Sequence, residues 1–345
     1  MNKVASILVV AVVLVLALVI TGAQADNYLA SISGAQNNAT LGVVTVYDVA
    51  GGAAPVAQTI GVGYNASAVN FLSNGDLVVG QERYQGGSYT NNGVYVVDDY
   101  SYLGGGAWNT TPTELCVVDG QSYALSHGIV EDASGNIYVG MSNFSKGFEI
   151  MKYNIPGGSG TATLWQENDS AGTAVGDIRM DPAGDAVFFS SVSSQIWGFN
   201  VSTGAQVLKT NGWWGNYYGW DFGPNGNIFG GGYSLTVIEQ MSAVDGSHVD
   251  YVAINGHTTN PRSLVLGADW NGDGTKDYYV ADTSAANIQV YSGVDRSYLG
   301  TITAPASENN LAQWSSPVPE PSSLMLMIPG VASLVGLAIR RRRLS

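Results

Sequence analysis

The chain has 345 residues, 45% of them hydrophobic and only 12% charged, with 45 glycines, 19 tyrosines and a single cysteine. Its formal charge of −14 becomes −18 over residues 26–319, where eight basic residues face 26 acids, and such a surface repels nucleic acid. One cysteine, Cys116, excludes an intrachain disulfide and multi-cysteine zinc sites, and the glycine and tyrosine content favours short strands and tight turns over helices.

At the N-terminus Lys3 precedes an apolar run from Val4 to Ile20, followed by Ala23-Gln24-Ala25. This is the layout of a secretory signal helix, with cleavage expected after Ala25, so residues 1–25 are read as a signal peptide. A first, partial strand unit follows: Tyr28–Ile32, Val43–Tyr47 and Val56–Ile60. From there one unit recurs, a turn with glycine and then a short apolar strand. It reads Ser73-Asn74-Gly75-Asp76-Leu77-Val78, then Ala133-Ser134-Gly135-Asn136-Ile137-Tyr138, then Pro182-Ala183-Gly184-Asp185-Ala186-Val187. It returns as Pro224-Asn225-Gly226-Asn227-Ile228-Phe229 and, altered, as Asn271-Gly272-Asp273-Gly274 with Tyr278-Tyr279-Val280 after it. The turn glycines are 60, 49, 42 and 46 residues apart, near the period of a propeller blade of about 40–50 residues.

Each unit predicts four antiparallel strands, with one strand before the glycine turn and three after it. Cys116, within Leu115–Val118, falls on a buried strand of the first full unit. The N-terminal unit lacks its innermost strand, and Asn310–Trp314, after the last full unit, supplies it. Such a closing strand protects the sheet edges. The expectation is therefore an all-β fold, a six-bladed β-propeller over 26–316 closed by a C-terminal strand. A β-sandwich or β-solenoid is the competing architecture.

Three features along the chain point to binding chemistry. His127, Asp177, Asp221 and Arg262 are expected near the starts of inner strands, around the central channel, with His127 a polar lining residue. The aromatic run Trp213, Trp214, Tyr217, Tyr218 and Trp220 joins one blade to the next. It suits stacking against a sugar or a protein on a ligand-facing rim, or packing between blades. Third, Asp269, Asn271, Asp273 and Asp277 place side-chain oxygens at alternate loop positions, with the Thr275 carbonyl between them and Gly274 at the turn. Hard Ca²⁺ takes such oxygens, as a structural staple, and an acidic hairpin without an ion is the plain alternative. No nucleophile elbow, phosphate loop or dinucleotide fingerprint accompanies these features.

The C-terminus carries Pro319-Glu320-Pro321, an apolar stretch from Leu324 to Ile339 and four arginines, Arg340 to Arg343. The stretch is read as a transmembrane sorting helix, the arginines remaining on the cytoplasmic side. This three-part tail, over 317–345, closely resembles the PEP-CTERM sorting signal, a tail that also goes under the name of an ice-binding-protein C-terminal domain. The resemblance implies a chain exported by a Gram-negative-type bacterium, anchored transiently in the inner membrane and processed there by an exosortase. Such tails accompany exopolysaccharide systems, so an exopolysaccharide or a surface protein is the partner implied.

The repeated units resemble those of NHL, YVTN and related six-bladed propellers, the gluconolactonase-like ones included. The Asp269 loop is similar to the FG-GAP calcium loops of integrin-type propellers. Together these readings give an exported cell-surface or matrix-associated scaffold that binds without catalysis. The alternative is a secreted propeller enzyme, a lactonase-like hydrolase or a lyase, acting at the central channel.

Overall fold

The computed structural model describes strands and turns between Asn27 and Ser315. Residues 1–26 and 316–345 lie outside the described residues, as do the loops 98–112, 119–123, 155–161, 169–174, 211–218, 232–236, 254–260 and several shorter ones. The expected signal helix and sorting helix therefore fall outside them. Residues 27–314 form one compact unit.

Each sheet is built from consecutive strands. The first contains β1 (Asn27–Ser33), β2 (Val43–Asp48) and β3 (Val56–Gly61). In the second, β4 (Asn65–Phe71) and β5 (Leu77–Glu82) are followed by a small separate hairpin, β6 (Tyr84–Gln85) and β7 (Ser88–Tyr89). The second sheet then resumes with β8 (Asn92–Val97) and β9 (Thr113–Val118). The third holds β10 (Ala124–Glu131), β11 (Asn136–Asn143), β12 (Gly147–Asn154) and β13 (Thr163–Asn168). The fourth holds β14 (Val175–Met180), β15 (Ala186–Ser191), β16 (Gln195–Asn200) and β17 (Gln206–Lys209). The fifth holds β18 (Gly219–Phe222), β19 (Ile228–Gly231), β20 (Val237–Met241) and β21 (His248–Ala253). The sixth holds β22 (Pro261–Leu266), β23 (Tyr278–Asp282), β24 (Asn287–Tyr291) and β25 (Tyr298–Thr303). The last strand, β26 (Glu308–Ser315), returns to the first sheet, whose order is β26-β1-β2-β3.

Among the described residues lie six four-stranded sheets, the C-terminal strand completing the N-terminal one. The arrangement is an all-β propeller, in which radial packing leaves only short, protected edges. Five glycines of the repeated turn, Gly75, Gly135, Gly184, Gly226 and Gly272, have φ between 74° and 91°, a region that L side chains avoid.

Buried residues group between neighbouring sheets. Ala30, Ile32 and Val44 of the first sheet meet Val69 and Val79 of the second. Val78 and Cys116 of the second meet Ile129 and Val139 of the third. Tyr138 and Phe148 meet Ile178, Phe189 and Trp197 of the fourth, and Phe188 and Ile196 meet Trp220 and Ile228 of the fifth. Phe229 and Ile238 meet Leu264 and Tyr278 of the sixth. Finally Tyr279, Ala281 and Ile288 meet Leu29, Tyr47 and Leu311 of the first.

Successive residues of one strand serve different interfaces: Val187 and Phe189 face the third sheet, Ala186 and Phe188 the fifth. Burial on both faces explains why these strands read as apolar runs with weak alternation. The inner strands also approach closely. A Cβ on Gly219 of β18 would lie 2.1 Å from the Ser263 Cα of β22.

Candidate functional site

The last-but-one residue of five inner strands faces a common space. These residues are Asn70 on β4, Val130 on β10, Arg179 on β14, Asp221 on β18 and Val265 on β22. Leu311 of β26 supplies the sixth wall. Together with Phe71, Ser73, Glu131, Met180 and Leu266 they line a cavity of about 330 Å³, drawn from all six sheets. The cavity is thus the central channel, lined mainly by the ends of the inner strands, whereas sequence reasoning placed the channel site at their starts.

Arg179 is buried and ties three sheets together. Its Nε donates to the Trp220 carbonyl at 3.0 Å, Nη1 to the Ile178 carbonyl at 3.3 Å and Nη2 to the Leu311 carbonyl at 3.5 Å. The same Nη2 lies 3.0 Å from Oδ2 of Asp177, which has no solvent exposure. Asp177 Oδ1 accepts the Ile178 amide at 2.8 Å. Burial pushes the Asp177 carboxyl up to about 7, with the Arg179 charge pulling against it. Burial also raises Asp221, again opposed by Arg179.

The remaining polar groups of the channel are held by main chain. Asp221 Oδ1 accepts from Phe222 N and Oδ2 from Leu266 N of the next sheet, both at 2.8 Å. Asn70 Oδ1 accepts from Phe71 N at 2.9 Å, while its Nδ2 donates to the Ile129 carbonyl at 2.8 Å. Glu131 accepts the Ser73 amide at 2.6 Å and the Ser73 hydroxyl at 3.4 Å. Each contact except those of Asn70 Oδ1 and Asp221 Oδ1 crosses from one sheet to the next. Glu131, Asn70, Ser73 and Arg179 escaped sequence reasoning as site residues. Their signal is a shared position at or beside the end of an inner strand, just before the glycine turn.

The predicted site residues divide. Asp177 and Asp221 come together, both beside Arg179. His127 and Arg262 lie on β10 and β22, with side chains outside those described. Of the aromatic run, Trp213, Trp214, Tyr217 and Tyr218 lie outside the described residues. Trp220, for which rim stacking and packing between blades were both open, is fully buried, packed edge-on to Phe222 at 5.6 Å between the fourth and fifth sheets. Strand β18 begins at Gly219, and burial of a large indole is the stronger demand there. Pro319, Glu320 and Pro321 lie outside the described residues.

The Asp269 loop spans the connection from β22 to β23. Asp269 Oδ1 accepts from Gly272 N and Asp273 N at 2.7 and 3.1 Å, and Oδ2 from Gly274 N at 2.6 Å. Asn271 Oδ1 accepts from Asp273 N at 3.1 Å, and Asp273 Oδ1 from Thr275 N at 2.8 Å. Asp277 is buried, and its two oxygens accept from Trp270 N at 2.7 Å and Gly293 N at 2.8 Å, pinning the loop to the β24–β25 turn. Burial raises the Asp277 carboxyl, and the nearby Asp273 and Asp269 charges add to the rise. No group of three or more His, Cys, Asp or Glu side chains set to hold a metal occurs among the described residues.

Comparison with known proteins adds an address and a fold. Residues 317–343 match the PEP-CTERM protein-sorting motif. No curated protein matches the chain. A protein of unknown function from Bacteroides caccae, known from a crystal structure, is similar in fold, with a TM-score of 0.56 and 10% identity. The alignment covers 84% of this chain and 98% of that one. A chain of the nidogen/laminin complex aligns with a TM-score of 0.58 and 12% identity, covering 83% of this chain and 98% of its own. At these identities the likeness shows the fold alone. The sorting motif marks an exported protein, held transiently at the membrane before an exosortase processes it.

Proposed function

We propose that the protein is a non-catalytic binding or scaffold propeller, delivered by its sorting tail to the cell surface or the extracellular matrix. In this reading the six sheets are six blades of NHL/YVTN-like type, and the partner is an exopolysaccharide or a surface protein. The observation that carries it is the pairing of a sorting motif at 317–343 with a channel whose charged groups are committed to main chain. A general acid or base needs freedom to exchange its proton with a substrate, whereas these groups bind one sheet to another. The test is delivery followed by binding. Replacing Pro319, Glu320 and Pro321 with alanine in an exosortase-bearing host should leave the tail uncleaved. The processed wild-type protein should bind the host's extracellular polysaccharide or surface fraction in a pull-down. Normal processing of the variant, or a wild-type protein bound to neither fraction, counts against the reading.

A second reading, the lactonase-like hydrolase or lyase, is favoured by one observation, the elevated Asp177 carboxyl paired with Arg179 of the channel lining. It requires turnover of a lactone or uronate substrate that Asp177→Asn removes.

The Asp269 loop is read as a structural calcium loop, with Asp269, Asn271, Asp273, Asp277 and the Thr275 carbonyl as oxygen donors. Its support is the crowding of three carboxylates, which a divalent cation would relieve. Addition of calcium should raise Tm, and Asp273→Ala should remove that rise.

A further inference from the structure

The channel cavity has a chemical character of its own, independent of where the protein is delivered. It is a cup about 330 Å³ in volume, within the size range of small-ligand sites. Val130, Met180, Val265, Leu266 and Leu311 give it apolar walls. Two carboxylates, Glu131 and Asp221, also line it. The one basic group in the lining among the described residues, Arg179, is bound to Asp177 and to three main-chain carbonyls. Two carboxylates outnumber the one guanidinium, whose charge Asp177 offsets further, so the balance of the cup is negative.

Both carboxylates are also held in place. Asp221 is fixed by amides of β18 and β22, and Glu131 by the Ser73 amide and hydroxyl. An ionised carboxylate offers about four lone-pair directions, so each retains acceptor capacity beyond these contacts. We propose that this cup binds a small organic cation, a protonated amine, whose charge answers the Glu131 and Asp221 carboxylates and whose apolar body rests against the apolar walls.

An ammonium carries three donors, and Asn70 Oδ1, on the same wall as Ser73, offers a third acceptor. A bare hard cation is a poorer match, since calcium takes six to eight oxygen ligands and the carboxylates of this lining are two. A neutral polyol would leave the carboxylates without a counter-charge. The −18 balance of residues 26–319 raises the local concentration of any cation at the mouth.

The test is calorimetric titration of the full chain with butylamine hydrochloride, and with butanol as the neutral molecule of the same shape, in physiological salt. The amine should saturate and butanol should not. Glu131→Gln keeps an oxygen for the Ser73 amide and removes only the charge, so it should weaken the amine about tenfold or more with Tm unchanged. Leu266→Trp narrows the cup from its apolar side and should also weaken the amine. The wild-type comparison of amine with alcohol decides the matter even if neither variant folds. Saturating calcium chloride should leave amine binding intact. Equal binding of butanol, no saturation by the amine, indifference to Glu131→Gln, or displacement by calcium would each overturn the proposal.

Discussion

Aspartates of the channel and aspartates of the outer turns sit in opposite environments. Asp177 is enclosed among inner strands, where burial raises its carboxyl to about 7 against the pull of Arg179. Asp245 and Asp295 lie exposed in the β20–β21 and β24–β25 turns. There the amide and hydroxyl of Ser247 or Ser297 hold each carboxyl below its usual range. An outer aspartate is satisfied within its own turn and makes that turn without help from other sheets. The inner aspartate and its arginine have partners on other sheets and exist as a unit only when the ring is closed. Local chemistry therefore shapes the rim, and long-range chemistry holds the hub.

Removing the inner cation should have the largest effect. Arg179→Met leaves Asp177 buried without its counter-charge, and loss of one partner of a buried pair costs about 3–5 kcal/mol. Denaturant titration should show that loss at neutral pH and a smaller one at pH 5, where Asp177 is protonated. An equal loss at both pH values would erase the contrast between hub and rim.

Next in size is Gly219→Ala. The added Cβ meets main chain of β22, which has little room to yield, and overpacking of this kind costs about 1–3 kcal/mol. Gly226, in the β18–β19 turn with open space around it, should lose less on substitution, from its φ of 75° alone. Thermal unfolding of the two variants ranks them.

The pH dependence sharpens the same contrast. Asp177 has a folded value near 7, above an unfolded value of about 4. Its stabilising contribution is full below about pH 4 and is lost as pH rises through about 7. Asp245 and Asp295 are depressed, so their contribution is present above the unfolded value and is lost as pH falls through the folded one. Asp177→Asn should flatten the stability profile between about pH 4 and pH 7, while Asp245→Asn with Asp295→Asn should change its slope only below about pH 4.

The smallest effect belongs to Arg296. Its φ of 64° matches that of Gly204 and Gly246 in the equivalent turns, at 68° and 69°. Arg296 spans to the fifth sheet, bonding Asp250 at 2.9 Å and Gln240 at 3.0 Å. Arg296→Gly relieves about 1 kcal/mol of backbone strain and removes a half-exposed bridge of similar size. Stability should change by less than about 1 kcal/mol, as read by Tm.

What was legible in the sequence was local. The glycine turns announce themselves because positive φ is required at one fixed position, and the missing innermost strand of the first unit pointed to the strand after Glu308. The channel was not legible. Arg179 acquires its meaning from carbonyls 41 and 132 residues away, on β18 and β26. Glu131 acquires its meaning from Ser73, 58 residues earlier. Those pairings follow from register and closure, which no local pattern encodes. For Trp220 the local pattern of aromatic and polar neighbours left rim and core both open, and its place on β18 carries it inward.

The channel, its ion pair and its cup all depend on β26 lying beside β1 and against β22. The most direct measurement is native-state hydrogen exchange at the Leu311 amide, which donates to Ser263 Oγ at 3.0 Å in a buried contact. Exchange of this amide should be slow and should match the most protected amides of β1 and β22, opening only with global unfolding. Fast exchange at Leu311 while β22 stays protected would show that the last strand does not close the ring.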